Sequence, residues 1–259
     1  MREFTKELYE EFIKGIKSTD YKTYTIYQYL EKKPKNRVIL LRHDVERTFK
    51  ETWWMANLEH EYGIVSTYYV RKKPDVFLPD KLRKIASFGH EIGYHYETLD
   101  KANGDIEKAL EIFESELKEF NKICTIKTIS MHGNPLSSFI NQDIWKNHDF
   151  KKFGIIGDGF LSIDFSNIFY ITDTGRNWEF SKYNIKDFPP GYDVNRVPKI
   201  KSLLEVVDFV KEQKYPVFYF NLHPDVWAST SSDYYKKAIW QGVKNQGKRV
   251  IKRYRKSGK

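Results

Sequence analysis

Histidine occurs at four places in the sequence directly after a run of apolar residues, and in three of them a carboxylate accompanies it. The stretches are RHDVE (42–46), HYE (95–97), MHGNP (131–135) and NLHPD (221–225). Histidine nitrogen and carboxylate oxygen are the ligands of catalytic zinc and similar divalent metals, which need three protein ligands and an open position for water. With one carboxylate as general base and one histidine as general acid, such a centre would hydrolyse an amide.

Strand periodicity decides which of these side chains can act together, since residues two apart share a face and residues an odd number apart do not. Two pairs share a face on this basis, namely Asp44 with Glu46 and His95 with Glu97. His90 lies five residues before His95 and therefore points the other way, and His43 is likewise out of phase with Asp44. We expect His90 to be structural and to pack between the sheet and a helix.

Alternating strand-like runs and amphipathic helices position the four stretches. From about residue 37 onward, three strand–helix units lead to the strand 125–131, and a later unit ends in the strand 216–222. The helices are marked by apolar residues at helical spacing and by capping boxes at Thr48 and at Ser202. Between 133 and 198 the order is looser, with short strand-like pieces at 153–156 and 168–172, and we expect extra loops there.

Successive strand–helix units with short connections predict a parallel sheet of the α/β class. No glycine-rich phosphate loop is present, which favours a (β/α) barrel over a doubly wound sheet. Because the strands of a barrel end at one rim, the four polar stretches are predicted to converge. We predict a single domain over 1–259, with its core at about 37–225, a helical segment at 1–36 and a basic helix at 232–259 packed on it.

The size and composition of the chain fit a globular enzyme. The 259 residues are 40% hydrophobic and 16% aromatic, which is enough for a substantial core. No apolar run approaches the roughly 18 to 20 residues that span a bilayer, and the start MREFTKELYEEFIKG lacks the apolar core of a signal peptide. We therefore expect a cytoplasmic protein. Its single cysteine, Cys124, excludes an internal disulfide and is given no catalytic role.

The net charge of +9 is concentrated in the tail that begins at Lys236. Apolar residues recur there at helical spacing, namely Tyr235, Ile239, Val243, Val250 and Tyr254. This pattern predicts a terminal helix docked through its apolar side with a solvated basic face. The alternative is a surface that attracts anionic lipid or phosphate and makes peripheral membrane contact. Nucleic acid is not an expected partner, because the basic residues are not interleaved with aromatic residues in a binding motif.

Three of the stretches resemble the motifs of the NodB-homology polysaccharide deacetylases, which form carbohydrate esterase family 4. LLRHDVE is similar to the first motif of that family, GHEIGYHYE to the second and YFNLHPD to the last. The resemblance extends over roughly residues 37–225. It implies a distorted (β/α) barrel of about seven strands and removal of an acyl group from an amino sugar.

The resemblance also implies roles for individual residues. The first acid of the first motif is the general base and the second a metal ligand, which correspond here to Asp44 and Glu46. The later histidine of the second motif binds metal, which corresponds to His95. The histidine of the last motif protonates the leaving amine, which corresponds to His223. Zinc is the metal that we expect, with cobalt, nickel and manganese as alternatives.

Two features depart from the pattern of the family. The family has a second metal histidine four residues after the first, but this position is Leu99. The third ligand must come from elsewhere, and we prefer His132 to Glu97 because it would restore the ligand types of the family. Asp100 is a further acid nearby.

The second departure is the missing arginine that holds the base in the family, for which Arg42 and Arg176 are the candidates. Five residues near the predicted rim are candidates for substrate contact: Arg42, Asp173, Arg176, Trp178 and Trp227. Aromatic residues beside polar ones suit stacking on a sugar ring, although tryptophan also packs in cores.

The leading hypothesis is a metal-dependent hydrolase that removes an N-acetyl or similar acyl group from an amino sugar. Without an export signal, we expect the substrate to be a cytoplasmic nucleotide-linked or lipid-linked precursor of a surface polysaccharide. The altered ligand set leaves two alternatives open, a hydrolase of non-sugar amides with the same fold and a degenerate barrel that binds sugar without turnover.

Overall fold

Parallel strands form the frame of the molecule in this computed structural model, which describes residues 2–178, 183–186, 189–193 and 199–257. The strands within these residues are β1 (Lys22–Tyr24), β2 (Val38–Val45), β3 (Thr67–Val70), β4 (Glu91–Tyr96), β5 (Thr128–Met131), β6 (Gly157–Asp158), β7 (Ile168–Thr172) and β8 (Val217–Leu222). Seven of them are hydrogen-bonded in the order β6-β5-β4-β3-β2-β8-β7. One edge of β2 is shared by two strands. β1 pairs with the first half of β2, and β3 pairs with its second half. All of these pairings are parallel.

The helices within the described residues pack on the outer face of the sheet or lie near the two ends of the chain. They are α1 (Lys6–Lys17), α2 (Ile26–Lys32), α3 (Phe49–Glu61), α4 (Pro79–Ser87), α5 (Thr98–Lys101), α6 (Ile106–Asn121), α7 (Leu203–Lys211) and α8 (Ser231–Ser257). As predicted, α7 begins at Ser202, whose hydroxyl accepts from the backbone N–H of Glu205. α3 also begins where predicted, but the Thr48 hydroxyl donates to the Glu51 carboxylate and makes no cap hydrogen bond.

The sheet curls into a distorted, open barrel, which confirms the predicted fold. Its path ends at β6 and β7, and these two strands do not pair with each other. Tyr69, Tyr170 and Tyr219 fill the inner face together with Phe160. The Tyr219 hydroxyl donates to the carbonyl oxygen of Gly159, which ties β8 to the chain just after β6 across the interior.

Alternation along β2 separates the interior from the helix-covered side, as strand periodicity predicts. Leu40 joins the inner cluster, whereas Ile39 and Leu41 pack in the cluster that contains α1 and α7. His43 is buried on this outer side, where its ring stacks on Tyr68. His90 also lies on the outer side, with its Nε2 3.0 Å from the carbonyl oxygen of Ala56 in α3. Its expected structural role agrees with this placement.

Two local predictions differ from the structure, which also defines the surroundings of Cys124. The segment 1–36 contributes the strand β1 as well as helices, because Lys22–Tyr24 extend along β2. The strand-like run 153–156 is not a strand; it follows a short 3-10 helix, Phe150–Phe153, and precedes β6. Cys124 lies before β5, at the opposite end of the strands from the rim, and burial raises its thiol pKa to about 11. The thiol is therefore protonated at neutral pH.

The terminal helix α8 docks through the side opposite to the one predicted. Tyr235, Ile239, Val243 and Val250 are exposed, and polar side chains meet the barrel instead. The side chain of Tyr254 lies outside the part of the molecule that the structure describes. Lys237 contacts the buried Glu51 carboxylate at 2.9 Å, and the Asn245 amide donates to the carbonyl oxygen of Gly175 at 2.9 Å. The barrel presents acceptors on this side, and donors on α8 satisfy them where apolar groups could not. No helix of the described residues has both the length and the apolar character to cross a bilayer.

Candidate metal centre and active site

Three side chains from different strand ends converge on one point at the rim of the barrel. Glu46 follows β2, His95 lies in β4 and His132 follows β5. One nitrogen or oxygen atom of each lies within 4.8 Å of the other two. The Glu46 Oε1 atom is 3.0 Å from His132 Nδ1 and 3.8 Å from His95 Nε2. Two imidazoles and a carboxylate are a common ligand set for a catalytic divalent metal.

Backbone contacts orient His95 toward this point. Its Nδ1 atom lies 3.1 Å from the carbonyl oxygen of Ser130 on the neighbouring strand. A carbonyl oxygen only accepts, so Nδ1 carries a hydrogen and the ring is held with Nε2 facing Glu46. This second hydrogen bond is the usual way in which a metal-binding histidine is held.

The unpaired polar atoms of the cluster fit a cation. His95 Nε2 and His132 Nδ1 are buried and have no hydrogen-bond partner among the residues that the structure describes, although both face the Glu46 carboxylate. Buried nitrogen atoms without partners are costly and uncommon. Burial alone would raise the pKa of Glu46, but the neighbouring histidines, above all His132, hold it well below its usual range. An ionised carboxylate and two available ring nitrogens are therefore in place.

Glu97, the alternative third ligand, is engaged elsewhere. Its carboxylate forms an ion pair with Arg71 and lies 3.6 Å from Lys101. Asp100 accepts hydrogen bonds from Ser137 and Asn141. Leu99 is buried in the core at the short helix α5. Glu97, Asp100 and Leu99 therefore all make contacts outside the cluster. His132 is the residue that lies beside Glu46.

Arg42 holds Asp44 next to this cluster. Its Nε and Nη2 atoms each donate to one carboxylate oxygen of Asp44 at 2.8 Å, and both side chains are buried. Burial would raise the pKa of Asp44, but the charges of Arg42, His95 and His223 together lower it, so the carboxylate is ionised at neutral pH. Arg176, the other candidate, lies over the rings of Phe4 and Tyr234.

His223 faces Asp44 from the end of β8. Its Nε2 atom is 3.9 Å from Asp44 Oδ2, and its Nδ1 atom is 2.7 Å from Asp173 Oδ1. Asp173 is fully buried and also accepts from the Trp227 indole at 2.8 Å. Burial opposes the imidazolium form, but Asp173, Glu46 and Asp44 together outweigh it and raise the pKa of His223 to about 10. The ring is therefore protonated at neutral pH.

The candidates for substrate contact are placed differently from the prediction. Arg42, Asp173, Trp178 and Trp227 are buried, and each is committed to a neighbouring side chain. Arg176 lies below α8, where it donates to the carbonyl oxygen of Val226. The indole rings are used for packing on each other and on Phe4, so no face remains for a sugar ring.

A cleft of about 340 Å³ opens over the cluster and includes residues that sequence reasoning missed. Its walls contain Glu46, His132 and His223, together with Arg47, Asn134, Asp225, Lys244 and Lys248. Burial and the Glu46 charge raise the pKa of Asp225 to about 6. Arg47 follows Glu46 directly in the chain, a signal that was available from the first motif. Lys244 and Lys248 come from α8, whose docking side was predicted wrongly.

His132 should contribute strongly to metal affinity, whereas Glu97 should not. Removal of partners outside the ligand set already costs about 10- to 100-fold in affinity, so His132→Ala should cost at least about 100-fold. Glu97→Gln should have a far smaller effect, because the Glu97 carboxylate contacts Arg71 and Lys101. Calorimetric titration with Zn²⁺ of the metal-free variants measures both.

Leu99→His is the companion variant. Because Leu99 points into the core, a histidine there should add no metal affinity. A gain, or a larger loss for Glu97→Gln than for His132→Ala, would move the third ligand to the segment that follows His95.

Comparisons with known proteins found similarity to solved structures alone. Neither the protein-family models nor the curated proteins contain a match. Among solved structures, the chain is similar to the catalytic domain of a peptidoglycan N-acetylglucosamine deacetylase from Eubacterium rectale, at 16% identity and a TM-score of 0.46. That alignment covers 82% of this chain and 86% of the other.

The peptidoglycan deacetylase PdaC from Bacillus subtilis, in a mutant form, matches at 14% identity and a TM-score of 0.45, over 87% of this chain and 96% of PdaC. The Streptococcus pyogenes deacetylase PplD matches at 13% identity and a TM-score of 0.41, over 48% of this chain and 61% of PplD, less than two thirds of its length. The matched structures are thus deacetylases of the kind that the sequence motifs resemble. At these identities and TM-scores the likeness carries no inference about activity, which depends on the site itself.

Proposed function

We propose that the protein is a metal-dependent hydrolase that removes an N-acetyl or similar acyl group from an amino sugar. One observation carries the proposal: the cluster of Glu46, His95 and His132 lies between a buried carboxylate and a protonated histidine. Asp44 Oδ2 is 3.8 Å from His95 Nε2 and 3.9 Å from His223 Nε2. A ligand set, a base and an acid are what hydrolysis of an amide requires.

Each residue has a defined task in this proposal. A divalent cation held by Glu46, His95 and His132, with zinc as our first choice and cobalt, nickel or manganese as alternatives, would supply Lewis-acid chemistry at the amide carbonyl. Asp44 takes a proton from the attacking water while Arg42 holds its orientation. His223 gives its Nε2 proton to the departing amine nitrogen, and Asp173 keeps the ring charged and aligned.

The basic lining of the cleft supports a substrate that carries phosphate. Arg47, Lys244 and Lys248 line the same cleft as Glu46 and His132, two of the proposed metal ligands. Burial and the Arg47 charge lower the pKa of Lys244 to about 8, so a nearby anion would stabilise its charged form. Lysine and arginine are the usual partners of phosphate oxygens. We therefore propose a cytoplasmic nucleotide-linked or lipid-linked amino sugar as substrate.

Acetate release from defined substrates tests the proposal. The purified protein, stripped of metal and then supplied with Zn²⁺, Co²⁺, Ni²⁺ or Mn²⁺, is incubated with N-acetylglucosamine and with its 1-phosphate. We expect release that depends on the added metal and is faster with the phosphorylated sugar. Binding of both sugars without acetate release would instead support the alternative of a sugar-binding barrel without turnover.

Lys244→Gln should weaken recognition of the phosphate and leave the chemical step intact. A charge-assisted hydrogen bond contributes about 1.5–3 kcal/mol, so the KM for the 1-phosphate should rise by about 10-fold or more. The kcat should change little, and the unphosphorylated sugar should be processed as before.

Lys236→Gln is the matched control, because Lys236 is an exposed residue of the same helix that does not line the cleft. Equal KM changes in the two variants would exclude Lys244 as the phosphate contact.

A further inference from the structure

One side of α8 presents a continuous apolar stripe to solvent. Its described members are Tyr235, Ile239, Trp240, Val243 and Val250, each between 53% and 71% exposed. Spacings of four, three and seven residues place side chains on one face of a helix. Large exposed apolar patches mark interaction surfaces in proteins that are otherwise soluble. The stripe therefore needs a partner.

The barrel itself does not cover the stripe, because the opposite side of α8 is already docked. Gln241 is buried, and its amide donates to Asn245, which in turn donates to the carbonyl oxygen of Gly175. Lys237 is fixed by the Glu51 and Asp233 carboxylates. Rotating the helix to bury the stripe would break the Lys237–Glu51 ion pair and the hydrogen bond from Asn245 to Gly175, which join α8 to the rest of the molecule. The outward direction of the stripe is thus determined by the polar contacts of the docked side.

The charge of this segment identifies the kind of partner. Residues 236–259 contain ten lysine and arginine residues and no aspartate or glutamate. A second copy of the chain on the stripe would bring two such segments together, and like charges repel. An anionic lipid surface supplies the opposite charge and also takes up apolar side chains, with tryptophan and tyrosine favoured at the headgroup level.

We propose that α8 lies on the surface of an anionic bilayer, with its apolar stripe below the headgroups and basic side chains beside them. The same helix lines the catalytic cleft with Lys244 and Lys248 on its inner side. Docking would therefore hold the cleft close to the headgroups. If the proposed deacetylase function is correct, this arrangement selects a lipid-linked sugar phosphate over a nucleotide-linked one; the docking itself does not depend on that function.

Vesicle sedimentation of the whole chain tests the docking. Wild-type protein is mixed with vesicles of phosphatidylcholine alone and with vesicles that contain phosphatidylglycerol. We expect binding to the anionic vesicles that weakens as salt is added. Burial of one apolar side chain corresponds to about a tenfold effect, so the double variant Trp240→Ser/Val243→Ser should bind about 100-fold more weakly. Leu204→Ser, at an apolar residue of α7 with 44% exposure, is the control and should bind as wild type does.

Several results would overturn the proposal. These are no binding of wild type to anionic vesicles at low salt, equal binding to both kinds of vesicle, or an unchanged double variant. A stripe that joins two copies would be revealed by light scattering, as a dimer that the double variant converts to a monomer without any change in lipid binding. The assay needs neither metal nor substrate, so its failure is separate from a failure of the proposed function. Acetate release from a soluble sugar phosphate by the double variant should equal that of wild type.

Discussion

Asp44→Asn should reduce kcat for acetate release by about 10² to 10⁴, because the attacking water loses its base. The substitution preserves shape but removes the charge, and an amide has no basicity at neutral pH. Metal content should stay unchanged, since the ligand cluster consists of Glu46, His95 and His132. Steady-state kinetics and elemental analysis of the same preparation measure both quantities.

Asp225→Asn is the matched control for this variant. Asp225 also lines the cleft near Glu46, but it has no task in the proposed chemistry. Its kcat should remain within about tenfold of wild type, since only the electrostatic environment changes. Because Asp44→Asn leaves Arg42 with an imperfect partner, thermal unfolding should accompany the kinetics. A folded Asp44→Asn variant with normal turnover would assign the base to another residue, and loss of metal would make Asp44 part of the ligand set.

Much of the site could be predicted because it follows strands. Strand periodicity places Arg42, Asp44 and Glu46 on one face of β2 and its continuation, and parallel strands bring their ends to one rim. This reasoning also separates His95 from His90 correctly. It needs only short-range geometry, which the order of residues contains.

Residues held by loops were harder to predict. The choice between Arg42 and Arg176 as the partner of Asp44 depends on the path of the segment after β7, and composition says little about such a path. The roles of Trp178 and Trp227 were hard to predict for the same reason. A tryptophan beside polar residues in the sequence can be exposed for stacking on a sugar, or buried with its indole N–H hydrogen-bonded. In the structure Trp227 is fully buried and donates to Asp173, so its ring is not exposed for stacking.

The terminal helix shows a second limit of sequence reasoning. Helical periodicity identifies the apolar side of α8, but it does not reveal which side meets the barrel. The deciding groups are the Glu51 carboxylate and the carbonyl oxygen of Gly175, which lie far away in sequence and require donors. For this reason an interpretation based on hydrophobicity alone placed the apolar side inward.

His223→Ala should slow acetate release by about 10² to 10⁴ while metal content and substrate KM stay close to wild type. The ring gives its proton to the departing nitrogen, an interaction that is felt in the transition state and not in the bound substrate. Single-turnover kinetics and elemental analysis distinguish this outcome from loss of the site. A His223→Ala variant with normal kcat, or one without metal, would exclude the histidine as the acid.

The pH dependence of acetate release distinguishes a catalytic acid from a histidine with a purely structural role, which would not affect it. An acid must be protonated, so activity should fall as the pH rises through the pKa of His223, which Asp173, Glu46 and Asp44 raise to about 10 in spite of burial. Asp173→Asn removes the largest of these charges and leaves the burial. The alkaline limb should therefore move to lower pH, toward or below the ordinary histidine value of about 6.5. An alkaline limb that is unchanged in Asp173→Asn would mean that a group other than His223 supplies the proton.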